Sequence, residues 1–214
     1  LIKVSAETLS AYRCQKKVLF TVSCMSTSIN HDTETVRKAQ RGDPQAFAVL
    51  LFPWRDKAFS MCLRMLQDRH DAEDVFQDAC VRAFTGLHTF RGDAAFGTWF
   101  YRIVYTTCLN ALKRRGRLPP HEELVDEPAV EVDDVISQLD TSVAVDVVRE
   151  EMAKMPPLYA VVMDLFYIQE CSHDDISRIT AMPIGTIKTR LNRGRKALRD
   201  ALLLRLPELE GRYT

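Results

Sequence analysis

From Thr33 to about Gly116 the apolar residues return at steps of three and four, and that period commits the segment to helices packed side by side. Phe47, Leu50, Leu51, Trp54, Ala58, Cys62, Met65 and Leu66 share one face. Pro53 is expected to kink or break this helix, because it lacks an N–H and crowds the preceding turn. Val75, Phe76, Ala79, Cys80, Ala83, Phe84 and Leu87 make the cleanest stripe in the chain. Asp71 is its expected N-cap, and Asp74 three residues on suits the positive end of the helix dipole. A third stripe, Phe96, Phe100, Ile103, Val104, Thr107 and Ala111, follows the loop Phe90-Arg91-Gly92-Asp93-Ala94-Ala95. Three or four such helices can bury their stripes only against one another, so an all-α bundle is expected. With 46% hydrophobic residues the chain has enough apolar material for a core, and only 8 glycines in 214 residues favour helices over tight-turned sheets.

The pattern divides the chain. Residues 1–24 carry four bases and no repeating apolar face, and Met25 opens a polar stretch like a natural N-terminus, so residues 1–30 are expected to be a weakly ordered extension. Residues 31–117 form the first helical domain. Pro119-Pro120 ends it, and residues 118–141 read as an extended linker: Glu122, Glu123, Asp126, Glu127, Glu131, Asp133, Asp134 and Asp140 occur there, with no Lys or Arg between Pro119 and Thr141. Helical patterning resumes with Val143, Val147, Val148 and Met152, stops at Pro156-Pro157 and restarts through Leu158, Val161, Val162, Leu165 and Phe166. Residues 142–206 are thus a second, smaller helical domain, followed by a tail over 207–214.

The strongest local signal runs from Ser172 to Leu191. Ser172 can cap a short helix, with Asp175 three residues later completing a capping-box pattern. A short helix, a turn through Ala181-Met182-Pro183 and a longer helix follow. On the longer helix Ile187, Leu191, Gly194, Leu198 and Ala201 share one face, and Gly185, Lys188, Thr189, Asn192, Arg193, Lys196 and Arg199 point away from it. Such a face, basic and small at its start, suits a DNA major groove. Between residues 184 and 205 seven bases stand against the single acid Asp200, although the whole chain is neutral. Phosphate is the natural partner of that surface, and a merely solvated basic helix is the plainer alternative.

A second basic patch comprises Arg102, Lys113, Arg114, Arg115 and Arg117. A helical wheel sets Thr98, Tyr101, Arg102, Tyr105, Thr106 and Lys113 opposite the apolar stripe, so both tyrosines are expected to be exposed. Rings between cations suit single-stranded nucleic acid, although two ordinary surface tyrosines would look the same. The helix after Asp71 turns Asp74, Gln77, Asp78, Val81 and Arg82 outward, and a valine among acids and an amide suggests a protein contact.

Catalysis finds little support. The sequence holds no glycine-rich phosphate loop, no G-x-S-x-G elbow and no H-E-x-x-H helix. His31, His70, His88, His121 and His173 are dispersed. Cys14, Cys24, Cys62, Cys80, Cys108 and Cys171 contain no C-x-x-C pair and read as reduced core thiols. No metal, cofactor or membrane insertion is expected, and a cytoplasmic location is.

Asp71-Ala72-Glu73-Asp74-Val75-Phe76-Gln77-Asp78, the run Phe90 to Ile103 and the segment from Ser172 through Lys196 follow one another with a spacing that resembles the extracytoplasmic-function group of the sigma-70 family, over about residues 34–204. The resemblance implies a non-enzymatic sigma factor that directs core RNA polymerase to promoters, recognising and melting promoter DNA as an alternative, stress- or envelope-responsive regulator. It implies that Asp74, Gln77, Asp78, Val81 and Arg82 meet the clamp helices of the largest polymerase subunit. Phe90, Arg91, Asp93, Phe96, Tyr101, Arg102, Tyr105, Thr106, Asn110 and Lys113 would hold the melted −10 element. Gly185, Thr186, Lys188, Thr189, Arg190, Asn192, Arg193 and Lys196 would read the −35 element as duplex, and an anti-sigma factor is an implied further partner. Ala181 stands where the family often has Gly, and Thr106 where many members have Asn. A helix-turn-helix regulator independent of polymerase, and a sigma-like adaptor without melting activity, are the competing readings.

Overall fold

A computed structural model of the chain describes residues 33–116 and 150–210. They form α1 (Thr33–Gln40), α2 (Pro44–Leu66), α3 (Arg69–Gly86), a 3-10 turn (Leu87–Thr89), α4 (Phe96–Arg114), α5 (Pro157–Met163), a π-helical segment (Asp164–Ile168), α6 (His173–Thr180) and α7 (Ile184–Glu210). One further helical turn covers residues 150–154. The all-α expectation holds among the described residues. The expected N-terminal extension, the acidic linker, Arg117, Val143, Val147 and Val148 lie outside them. So does the end of the expected tail, whose first residues instead continue α7.

The local signals explain most boundaries. Asp43 caps α2, accepting from the backbone N–H of Gln45 at 2.9 Å and of Ala46 at 3.3 Å, and Pro44 occupies the first turn, where no donor is missed. The expected break at Pro53 does not occur: α2 runs through it to Leu66. Proline removes the bond to the Val49 carbonyl, but Val49 is exposed at 62%, so water can take that acceptor. The cap of α3 also lies earlier than expected. Gln67 adopts a left-handed conformation that closes α2 sharply, and Asp68, rather than Asp71, becomes the N-cap and accepts from Asp71 N–H at 2.9 Å. Asp71 is freed for an ion pair with Arg115, which ties the start of α3 to the end of α4.

The N-terminal group buries most of the residues that the period marked, and Met61 besides, while Leu51, Phe76, Cys80, Phe84 and Ile103 pack half-buried against that core. Ala72, Ala79 and Ala83 keep the core face of α3 thin, so the neighbouring helices approach closely. Rings run through the bundle in edge and stacked contacts: Phe59 to Phe76 at 5.7 Å, Phe76 to Phe100 at 6.4 Å, and Phe100 to Phe96 at 6.1 Å. Gly97 permits the closest approach, since a Cβ there would lie 2.6–2.8 Å from the Trp54 ring. Cys62, Cys108 and Cys171 are buried free thiols and Cys80 is a half-buried one, with the Cys62 and Cys108 sulfurs 3.6 Å apart. Cys14 and Cys24 are outside the described residues.

The C-terminal group packs the short helices α5 and α6 and the long α7 around Met152, Val161, Val162, Leu165, Ile176, Ile179, Ile187 and Leu191. Ser172 caps α6, accepting from Asp175 N–H at 3.1 Å. Its hydroxyl donates to the Asp175 carboxylate at 2.7 Å, so the acid closes the box through the cap's side chain instead of its backbone. Gly194 lets α7 cross α5 against Met163. The two groups touch: α5 packs on α2, and α6 packs on α4.

Candidate nucleic-acid interface

The turn between α3 and α4 is positioned before any ligand arrives. Gly92 has φ +80°, a conformation that disfavours any side chain, and it leaves Arg91 and Asp93 exposed at the tip. Phe90 anchors one end by ring contacts with Phe96 at 5.9 Å and Trp99 at 5.4 Å. Gln40 of α1 donates to the Phe90 carbonyl at 2.9 Å and fixes the loop from behind. Phe96, expected in the strand-holding set, is buried at 3% exposure and serves here as an anchor. Gln40 and Trp99 were missed in the sequence. Trp99 lies within the matched motif, half-buried beside Phe90, and that position was its only signal.

Along α4 the expected set separates into two faces. Arg102, Thr106, Asn110 and Lys113 are exposed at successive steps of four, four and three, a stripe about 17 Å long by the helical rise. The Thr106 hydroxyl donates to the Arg102 carbonyl at 2.7 Å. Tyr101 and Tyr105, expected to be exposed, are instead buried at 0% and 3%, and Thr98 at 5%. The wheel registers only the bundle to which α4 belongs, whereas a second partner covers its other side. Tyr101 meets Trp54 edge-on at 6.3 Å, and its hydroxyl donates to Gln169 Oε1 at 3.5 Å. Burial, with the Asp164 charge nearby, pushes the Tyr101 phenol well above its usual range. Burial likewise raises Tyr105, against the pull of Arg190.

The helix-turn-helix is present as α6, a three-residue turn and α7. Ala181 sits in the turn with φ 57° and ψ 23°, and its N–H donates to the Ser177 carbonyl at 2.8 Å. Ala181 therefore takes the left-handed conformation that a glycine would adopt without strain. Gly185, Lys188 and Lys196 are exposed, and Thr186, Arg190 and Arg193 are half-buried. Thr189 and Asn192, expected to point outward, are buried at 5% and 6%. Thr189 turns its hydroxyl back to the Gly185 carbonyl at 3.0 Å, and the Asn192 amide oxygen accepts from Arg195 at 3.4 Å. Arg190 reaches the Met182 sulfur and Arg193 the Tyr159 hydroxyl, so α7 is packed on more sides than a single stripe allows.

On α3, Asp74, Gln77, Asp78, Val81 and Arg82 are all exposed, Val81 at 61%. An apolar side chain held in water among charges and an amide is suited to burial by a protein. Among the described residues no cluster could hold a metal ion, and no helix is long and apolar enough to cross a membrane.

Residues 53–118 match the family model for sigma-70 region 2, and residues 146–198 match the model for sigma-70 region 4. The RNA polymerase sigma-H factor of Pseudomonas aeruginosa is 32% identical over 180 residues, covering 80% of this chain and 93% of that protein. The ECF RNA polymerase sigma factor SigW of Bacillus subtilis is 32% identical over 180 residues, covering 78% and 94%. Among solved structures, CnrH in complex with the cytosolic domain of CnrY has a similar fold, with a TM-score of 0.53 at 21% identity over 81% of this chain and 97% of that one.

Proposed function

The chain belongs to the extracytoplasmic-function group of the sigma-70 family, non-catalytic factors that act with RNA polymerase at promoters, and from that membership we propose a division of labour among its surfaces. Asp74, Gln77, Asp78, Val81 and Arg82 on α3 dock on the clamp helices of the largest polymerase subunit. Arg91 and Asp93 at the loop tip, with Arg102, Thr106, Asn110 and Lys113 along α4, hold the parted −10 strand, and Tyr101 and Tyr105 offer rings for unstacked bases once uncovered. Gly185, Thr186, Lys188, Arg190, Arg193 and Lys196 on α7 face the −35 duplex.

The observation that carries this reading is the exposed stripe on α4 beside a loop anchored by Phe90, Phe96 and Gln40. Paired DNA is read at base edges in a groove, but a parted strand must be trapped by cations and rings, so one factor needs both kinds of helix. Melting activity, a stress- or envelope-linked regulon, a cytoplasmic location and control by an anti-sigma factor complete the proposal. The likeness to CnrH, solved with a domain of CnrY, supports looking for a protein inhibitor.

Transcription by core polymerase on a promoter library tests the assignment, with the full chain added as purified protein. Specific transcripts support it. Duplex binding without transcripts would favour a polymerase-independent regulator, and polymerase binding without transcripts an adaptor. The double substitution Gln77→Ala, Asp78→Ala should weaken polymerase binding and leave the helix content unchanged; unaltered affinity would remove α3 from the contact.

A further inference from the structure

One face of α4 already has an occupant. α6 lies against α4, and the π-helical segment before it brings Asp164 and Gln169, both buried, to the junction between the two helical groups. Polar contacts fix the register. Arg64 Nη1 on α2 stands 3.1 Å from Asp164 Oδ1. The Arg64 charge is the strongest pull on the buried carboxylate, with the Gln169 side chain and Lys57 adding to it. Gln67 Nε2 donates to the Ala153 carbonyl at 2.8 Å, and the Tyr101 hydroxyl donates to Gln169. Arg190, from the helix assigned to duplex DNA, lies near Tyr105. The Tyr101–Tyr105 side of α4, which the proposed function needs open, is therefore covered, with Arg190 of the duplex-reading set beside it.

A buried carboxylate that keeps its charge needs a counter-charge beside it, and removing one member of the pair leaves the other bare. The Arg64–Asp164 pair thus makes the docked arrangement depend on one specific contact across the groups. An apolar contact alone would slide, whereas this one has a register.

We propose that the C-terminal helical group is an intramolecular competitor for the Tyr101–Tyr105 face of α4, latched by Arg64 and Asp164, so that the free chain hides this surface until the latch parts. The competition rests on the reading of α4 as the strand-holding helix; the latch does not.

Residue-resolved oxidative footprinting of the full chain, without polymerase, measures whether Tyr101 and Tyr105 are covered. Anisotropy with a fluorescein-labelled single-stranded oligonucleotide measures the strand surface. Arg64→Glu should raise labelling of both tyrosines at least about tenfold, as expected when a buried pair becomes a like-charge pair, and strand affinity should rise with it. Arg64→Glu combined with Asp164→Arg restores the opposite charges and should restore protection. Gln67→Ala, a mild change at an exposed side chain, should raise labelling by roughly two- to tenfold and guards against a charge variant that fails to fold. Equal labelling in wild type, Arg64→Glu and Gln67→Ala would overturn the latch, as would a double variant no better protected than Arg64→Glu. Raised labelling with unmoved strand affinity would uphold the latch and sink the assignment of α4 to the parted strand.

Discussion

The N-terminal group is built on three long helices that share one network of rings, whereas the C-terminal group sets two short helices against a single long one. α2, α3 and α4 are 23, 18 and 19 residues long and share a run of aromatic contacts, with Gly97 admitting Trp54. α5 and α6 are 7 and 8 residues long and lean on the 27-residue α7, a π-helical segment joins α5 to its loop, and a carboxylate lies buried where this group meets the other. Long helices with complementary faces supply their own burial. Short ones with a charged residue inside need a neighbour. Under the proposed latch, the first group is the fixed platform and the second is the part that leaves it.

Substitutions within the platform should have the largest effect. Phe100→Ala removes a wholly buried ring between Phe76 and Phe96 and should cost about 3–5 kcal/mol, read as a lower midpoint in chemical unfolding, with the C-terminal group losing its support at the same time. Unfolding of the C-terminal group first, at unchanged platform stability, would break the comparison. The two tight glycines sharpen it. At Gly97 an added methyl meets the rigid Trp54 ring, so Gly97→Ala should cost about 1–3 kcal/mol. At Gly194 the neighbour is Met163, whose Cγ and Sδ would lie 2.8 and 2.9 Å away but whose flexible chain can move, so Gly194→Ala should cost less than Gly97→Ala. The reverse order in thermal unfolding would mean that the C-terminal group is the stiffer of the two.

The junction itself should respond to pH. Burial lifts the Asp164 carboxyl to about 6, against the pull of Arg64, the Gln169 side chain and Lys57, while the Tyr101 hydroxyl faces it from α4. A carboxyl whose docked pKa is raised binds its proton more readily docked than free, so docking strengthens as pH falls from about 7 toward 4. Two pKa units set a ceiling near 3 kcal/mol, and partial compensation within the pair brings the expected gain to about 1–2 kcal/mol. Tyrosine footprinting at pH 7.5 and about pH 5 checks it. Asp164→Asn should abolish that dependence, and an unchanged slope in the variant would assign it to other carboxylates.

The helices were legible because each stripe needed only a period, and the caps were legible to within three residues because Ser172 and the acids near Asp71 carry local chemistry. What was not legible depends on a second partner. Tyr101 and Tyr105 follow Phe100 and Val104 by one residue, about 100° round the helix, so they flank the stripe instead of standing opposite it, and a wheel drawn for α4 alone cannot register α6 covering that flank. Pro53 leaves α2 unbroken for a related reason: the cost of a proline depends on whether the orphaned carbonyl reaches water, and exposure at Val49 is a tertiary property. Asp164 left a trace. A lone acid between Met163 and Leu165, within an apolar run from Ala160 to Phe166, signals a buried charge and therefore a partner, though the sequence does not say that the partner is Arg64.

Ala181 offers the smallest and most local test of the contrast between the groups. An L-residue held in the left-handed region costs about 1–2 kcal/mol relative to the right-handed one, and glycine removes that strain. Glycine also loosens the unfolded chain, which offsets about 0.4–1 kcal/mol of the gain. Ala181→Gly should therefore stabilise the helix-turn-helix by about 0.5–1 kcal/mol. The Ala181 N–H bond to Ser177 keeps the turn's shape, and the Ser177 hydroxyl still donates to the Met182 carbonyl at 2.7 Å. Slower hydrogen exchange in α6 and early α7, with exchange in α2 and α3 unmoved, is the expected result. Slowing throughout both groups would mean that they open as one cooperative unit, and the C-terminal group would then not be able to leave the platform by itself.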